Sequence, residues 1–159
     1  MGREGGLVIP RLARGCRCYA AFEGDSVVGY GWLSTGPEWI GELQLLITPG
    51  PSEGYVWNCV TLPEHRRRGV YRSILARLPE LARRDGLHRL WTGSVAIPAE
   101  KAVGPAGFRP ALHFDTLTGA EFHLMLVTAG ADRDLAANAL RVLNTKLGVH
   151  ARRSHPRRH

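Results

Sequence analysis

Two periods alternate along the chain. From Cys16 to Leu33, and again from Gly54 to Thr61, apolar, aromatic and β-branched residues run together or alternate, as strands require. From Val70 to Ala82 the apolar positions recur every three to four residues, as on one helix face. Cys16–Phe22 and Ser26–Leu33 read as a hairpin turning at Glu23-Gly24-Asp25. Gly29 and Gly31 interrupt its second strand and point to a bulge or a close approach. Leu7-Val8-Ile9 has the composition of a short strand closed by Pro10. Thr35–Ile40 reads as a loop or a short helical turn, Glu42–Ile47 as a third strand, and TPGPSEG as a turn. Gly54–Thr61 is the central strand, and Pro63, which lacks an N–H, ends its ladder.

The helix after Gly69 collects Val70, Tyr71, Ile74, Leu75, Leu78, Leu81 and Ala82 on one face. Pro79 inside that pattern predicts a kink or a restarted turn. Arg83 and Arg84 suit the C-terminal end of the helix dipole, and Gly86 suits its cap. Leu87–Ile97 reads as a strand and Ala99–Val103 as a short helix. Ala111–Leu117 and Phe122–Val127 form two further strands around a turn at Thr118-Gly119. Asp132 is the expected N-cap of a last helix with the stripe Leu135, Ala136, Ala139, Leu140, Leu143 and Leu147, stopped by Gly148. Residues 149–159 lack an apolar period and read as a basic, disordered tail. Antiparallel strands, then a strand–loop–helix–strand unit, then more strands describe one α+β domain over 1–148. Its central sheet is mixed, mostly antiparallel, and flanked by helices.

Composition narrows the partners. The 159 residues carry a formal charge of +7, and 44% are hydrophobic. Without Arg152, Arg153, Arg157 and Arg158 the charge falls from +7 to +3, so the excess is local and nucleic-acid binding is disfavoured. No apolar run reaches the roughly 18–20 residues of a membrane span, and no secretion signal is apparent, so the expected location is cytoplasmic. Cys16, Cys18 and Cys59 are too few and too scattered for a structural zinc site, and no metal is expected.

Chemistry concentrates in Pro63–Leu75, PEHRRRGVYRSIL. Three arginines and a glycine stand where a helix begins, and helix starts present unpaired N–H groups and partial positive charge. That combination describes a site for a phosphate or pyrophosphate. The P-loop pattern and the dinucleotide fingerprint are both absent.

The stretch Arg66-Arg67-Arg68-Gly69-Val70-Tyr71 resembles the Q/R-x-x-G-x-G/A motif of the GNAT superfamily of acyl-CoA-dependent N-acyltransferases, with Tyr71 standing where Gly or Ala is usual. Ala106-Gly107-Phe108 resembles the Gly-Phe that closes the superfamily's second motif, and the likeness spans Cys16 to Val127. The resemblance implies a GNAT-like fold with acetyl-CoA (or another acyl-CoA) as cosubstrate and a primary amine as acceptor. It implies that backbone groups of Cys59, Val60 and Thr61 pair with the pantetheine arm. The pyrophosphate would lie on amides from Arg67 through Arg72, that is Arg67, Arg68, Gly69, Val70, Tyr71 and Arg72. The side chains of Arg66, Arg67 and Arg68 would add charge near the 3′-phosphate. Cys59 or Val60 would supply the backbone oxyanion donor.

The remaining machinery is less regular. Val103 stands where many members carry a general-acid Tyr, and Ala96 and Ala99 fall where Asn and Ser are usual. Glu53 is the first candidate base, sharing by alternation a face with Tyr55, Trp57 and Cys59. Tyr55 and Ser94 join it as candidate catalytic residues, with Glu38, Glu42 and His113 as alternatives. Trp32, Trp39, Tyr55 and Trp57 could line an apolar acceptor pocket. The part before Cys16 is short for the superfamily, leaving a cleft that is open or filled by the last helix or by a partner, and a homodimer is allowed. Two competing readings are a non-catalytic CoA-binding module and a nucleic-acid-associated protein using the arginine loop and tail.

Overall fold

The computed structural model describes residues 2–94, 101–119 and 122–153. It divides into two compact units, one ending at Arg109 and one beginning at Pro110.

The first unit opens with a 3₁₀ stretch, Gly2–Leu7, and a short helix α1, Val8–Ala13. Strands β1 (Arg17–Glu23), β2 (Ser26–Ser34), β3 (Glu38–Ile40), β4 (Leu45–Ile47) and β5 (Glu53–Thr61) follow. A 3₁₀ turn at Pro63–His65 leads into helix α2 (Val70–Arg84) and then strand β6 (Arg89–Thr92). The main sheet has the order β1-β2-β5-β6, and β3-β4 form a separate ribbon. The first three strands of the main sheet are antiparallel neighbours; β6 runs parallel to β5. Parallel neighbours need a crossover connection, and α2 is that crossover.

The expected strand at Leu7-Val8-Ile9 is instead the junction of the 3₁₀ stretch and α1. Pro10 permits this because it falls in the first helical turn, where backbone N–H groups have no intrahelical acceptor. The hairpin turns at Gly24-Asp25 as expected. Residues 38–40, expected within a loop, pair as β3 with β4 (Trp39 opposite Leu46). Helix α2 runs through Pro79, whose ring removes the amide that would otherwise meet the Leu75 carbonyl.

One face of α2 and one face of the main sheet make the core. Leu33, Val56, Ile74, Leu75 and Leu78 are buried together, with Tyr19, Ala21, Cys59, Val70, Tyr71 and Phe108 packed around them. Both glycines of β2 are explained by close approach. A Cβ on Gly29 would lie 2.8 Å from the Val60 carbonyl oxygen and 2.8 Å from Val70 Cγ1. A Cβ on Gly31 would lie 2.8 Å from Cys59 Sγ.

The second unit contains β7 (Leu112–Thr118), β8 (Phe122–Ala129), helix α3 (Arg133–Val142) and β9 (Gly148–Arg153). The strands form one antiparallel sheet, β7-β8-β9. Asp132 caps α3 as its sequence position predicts, accepting the Leu135 N–H at 2.9 Å. The tail reading is corrected at its start: Val149 to Arg153 lie in β9, paired with β8, with Val149 opposite Leu126. A partner strand supplies the backbone hydrogen bonds that a short, polar segment cannot signal through its own pattern. Residues 154–159, the rest of that tail, lie outside the described residues, as do 95–98 of the expected Leu87–Ile97 strand and its sequel.

Candidate active site

Strands β5 and β6 pair for only four residues, from Glu53 opposite Arg89 to Val56 opposite Thr92. Thr92 Oγ1 donates to the Val56 carbonyl at 3.2 Å at the end of that pairing. Beyond it the chain leaves β6 at Gly93-Ser94, while β5 continues to Thr61 against β2 alone. The β6-side edge of β5 is therefore open from Trp57 onward.

A bulge sits at that point. Trp57 faces Trp32 and Val60 faces Tyr30, so Asn58 and Cys59 together oppose Gly31. Asn58 takes the left-handed conformation, φ 47°, and asparagine tolerates it better than most residues. In an extended strand the N–H and C=O of one residue share an edge, and successive residues alternate. Leu62 donates to the Val28 carbonyl at 3.0 Å, and the Val60 carbonyl crowds Gly29, so Val60 and Leu62 face β2. Cys59 and Thr61 then face the open edge, where Arg66 Nε reaches the Thr61 carbonyl at 3.5 Å. The expected trio of Cys59, Val60 and Thr61 reduces to Cys59 and Thr61.

The bulge also corrects an alternation argument. Cys59 was placed on the face of Glu53, Tyr55 and Trp57, but one extra residue turns it to the other side. Its thiol packs with the α2 core and approaches Gly31. Burial there pushes the thiol up to about 12 from an ordinary 9.0. It stays protonated at neutral pH and is no nucleophile.

The start of α2 is an uncapped cradle. Arg67 (φ 62°) and Gly69 (φ 81°) take left-handed conformations, and no side chain caps the helix. The first turn closes with Ser73 N–H donating to the Gly69 carbonyl at 2.9 Å. The amides of Val70, Tyr71 and Arg72 consequently have no acceptor within the helix. No atom comes within 4 Å of where a Gly69 Cβ would stand, so the space there is open. Arg68 is braced to the β1–β2 hairpin, with Nη2 2.6 Å from Glu23 Oε1 and Nη1 3.0 Å from His65 Nδ1. Arg66, Arg67 and Arg72 are exposed. Tyr71 is half-buried against the core and its phenol is pushed up to about 12, first by burial. The core thus takes the bulk that stands in place of the motif's small residue.

The face of β5 opposite α2 carries Glu53, Tyr55 and Trp57. Glu53 is buried, and three donors hold it: Gly50 N–H at 3.0 Å and Trp91 Nε1 at 3.3 Å on Oε2, and Arg89 Nη1 at 3.4 Å on Oε1. Tyr55 is buried, and its hydroxyl lies 3.0 Å from where a Gly93 Cβ would be. Burial, then the nearby Glu42 charge, push this phenol well above its ordinary range. Ser94 is exposed, two residues beyond the end of β6. Glu38 accepts two bonds from Arg14 Nη2, at 3.0 and 2.9 Å, and one from Cys16 Sγ at 3.3 Å, which makes it a tie between α1 and β3. Glu42 is exposed. His113 belongs to the second unit, 3.2 Å from Asp115. Trp32 and Trp57 are buried as a tilted pair, whereas Trp39 is half exposed. Val103 packs on the core, and Ala96 and Ala99 lie outside the described residues. Two contributors escaped the sequence reading: Asn58, whose positive φ leaves no mark in a strand pattern, and Arg11, whose guanidinium lies over Trp32 and Trp57.

A strand pair that opens, a bulge at the opening and an uncapped helix start behind it now stand in one unit. A model of the Acetyltransferase (GNAT) family matches residues 7–104, well over half of the chain. The chain belongs to this family. The Bacillus subtilis acetyltransferase solved in complex with CoA is similar in fold, with 18% identity, a TM-score of 0.53, and 75% of this chain and 76% of that one covered. An acetyltransferase from Trypanosoma brucei aligns with 17% identity and a TM-score of 0.51 over 72% of this chain and 76% of its own. A probable acetyltransferase gives 19% identity and a TM-score of 0.51 over 72% and 74%. No curated protein matches the chain. The α+β class and the GNAT fold implied by the arginine loop are those observed. Among the described residues no helix is long and apolar enough to cross a membrane.

Proposed function

We propose that this GNAT chain is an acyl-CoA-dependent N-acyltransferase that moves an acetyl group from acetyl-CoA to a primary amine. The observation that carries the reading is the alignment of an open β5 edge with the uncapped start of α2. An extended pantetheine arm would add to β5 through Cys59 and Thr61, as an extra strand. Its pyrophosphate would meet the amides of Val70, Tyr71 and Arg72, with Arg66, Arg67 and Arg72 supplying charge. A fold neighbour solved with CoA supports that ligand class.

The thioester would then lie beside the bulge. The amine nitrogen attacks the carbonyl carbon, and the Cys59 N–H steadies the oxyanion. The C–S bond breaks, CoA leaves as a thiolate, and a proton reaches it from Ser94 or Tyr55, the latter kept protonated by burial. Glu42, exposed and close enough to act on Tyr55, is the base in this scheme. Glu53 is assigned to positioning, because its three donors already occupy both oxygens. Holding thioester and amine together supplies much of the rate.

A second reading, a CoA-binding module without turnover, draws on Val103, which is apolar where a general acid is usual and packs on the core. Calorimetric titration with acetyl-CoA tests the cofactor half, and absence of binding at millimolar ligand defeats both readings. Thiol release over a panel of amines separates enzyme from module. Gly69→Val should abolish acetyl-CoA binding, since it imposes left-handed strain and fills the open space over the amides. Unchanged affinity in that variant would refute the placement.

A further inference from the structure

Beside the open edge of β5, two indoles hold a cation. Trp32 and Trp57 face each other across β2 and β5, ring centroids 6.3 Å apart and planes inclined at 40°. The guanidinium carbon of Arg11 stands 5.1 Å from the centroid of Trp32 and 5.8 Å from that of Trp57. Both distances fall within cation–π range. Such sites select for a flat or diffuse cation, because an aromatic face attracts positive charge and excludes a strongly hydrated one least when the charge is spread.

The occupant is weakly built in. Arg11 comes from a helix of six residues, none of them buried, whose neighbours Ile9 and Leu12 are exposed. Arg11 is itself only part-buried, so a side-chain rotation suffices to vacate the indoles. The site is strongly built. Trp32 is fully buried and Trp57 nearly so, and Trp57 immediately precedes the bulge where β5 becomes unpaired toward β6. The Trp32 Nε1 is buried with no partner among the described residues, a deficit that an oxygen on an incoming ligand can correct.

We infer that Trp32 and Trp57 form a cation subsite of the acceptor pocket, held closed by Arg11, and that the acceptor is an amine carrying a second, guanidinium-like cation. The word acceptor rests on the acyltransferase reading above; the cation subsite does not. The acceptor's distal cation displaces Arg11 and stacks on the indoles, while its amine points to the thioester side of Trp57. Arg11 is thereby a specificity-determining residue, a built-in competitor that small uncharged-tail amines lack the means to replace.

The test compares 4-guanidinobutylamine with n-butylamine, by indole fluorescence and calorimetry without CoA, and by thiol release with acetyl-CoA. Wild type should bind the guanidino amine and show an indole signal, with n-butylamine giving neither. Arg11→Gln should bind it about tenfold more tightly and raise its kcat/KM by a similar factor. Trp57→Leu on that background should cancel the gain. Arg11→Lys, which keeps a cation in place, serves if Arg11→Gln does not fold, and should show an intermediate gain. The inference is overturned if wild type does not discriminate between the two amines, or if neither Arg11 variant binds the guanidino amine more tightly. Turnover of n-butylamine with that lack of discrimination leaves the acyltransferase reading standing alone. A guanidino-amine signal without any acetyl-CoA binding leaves the cation subsite standing and removes the acyltransferase.

Discussion

Gly31→Ala probes the joint on which the proposed thioester site depends. The added Cβ would lie 2.8 Å from Cys59 Sγ and 3.4 Å from Ile74 Cγ2. Comfortable non-bonded separations are about 3.5–4.0 Å for carbon pairs, so most of an ångström must be recovered. Cys59 cannot swing away freely, because it packs on the buried cluster of Leu33, Val56 and Ile74. Overpacking of this kind costs about 1–3 kcal/mol. Loss of backbone freedom in the unfolded chain returns about 0.4–1 kcal/mol, leaving a net destabilisation of roughly 1–2 kcal/mol. Removing the sulfur removes the clash, since Cys59 Cβ stands 3.9 Å from the same point. The double variant Gly31→Ala/Cys59→Ala should therefore be more stable than the two single effects predict, by about 1 kcal/mol. Trp32, Trp39, Trp57 and Trp91 are the only tryptophans and all lie in the first unit. Urea unfolding followed by indole fluorescence thus reads that unit directly. Acetyl-CoA affinity should fall with Gly31→Ala and recover in the double variant, because the Cys59 amide is carried by the bulge. A fully stable Gly31→Ala, or single effects that add within about 0.5 kcal/mol, would refute the packing account of the bulge.

Other perturbations separate structural from chemical roles. Glu53→Ala should destabilise the first unit by about 1–3 kcal/mol, since the buried Trp91 Nε1 and the Gly50 amide lose their acceptor; loss of turnover at unchanged stability would make Glu53 the base after all. Glu42→Gln should lower kcat and flatten the acid limb of the pH–rate profile while leaving acetyl-CoA affinity intact, as calorimetry can check. Asp132→Ala removes the cap of α3 and should cost about 1 kcal/mol, with near-full recovery in Asp132→Ser, measured by circular dichroism. The raised Cys59 thiol makes the unfolded chain the better acid: between an ordinary 9.0 and about 12 the unfolded state releases a proton that the folded state retains. Stability contributed there is present below pH 9 and is lost as pH rises toward 12, so Cys59→Ala should flatten the alkaline fall seen in urea titrations.

What the sequence determined was local. The hairpin at Gly24-Asp25, the central strand, the period of α2, the cap at Asp132 and the anion-binding character of Arg66–Arg72 all depend on residues a few positions apart. Hydrophobic period, turn chemistry and motif spacing record such features directly. Tertiary structure decided whatever required a partner strand or a change of face. The short β9 exists because β8 supplies its hydrogen bonds, and Leu7–Ile9 turns helical because Pro10 is harmless in a first turn. The two glycines of β2 signalled crowding, yet only the fold shows that Gly31 makes room for Cys59. One extra residue at Asn58–Cys59 reverses every alternation argument beyond it, which is why Cys59 left the face of Glu53 and Trp57. Arg11 carried no signal at all, because its role over Trp32 and Trp57 comes from bringing three distant segments together. The cofactor half of the site is a contiguous motif and was legible; the acceptor half is assembled from distant segments, and only folding brings its residues to one place.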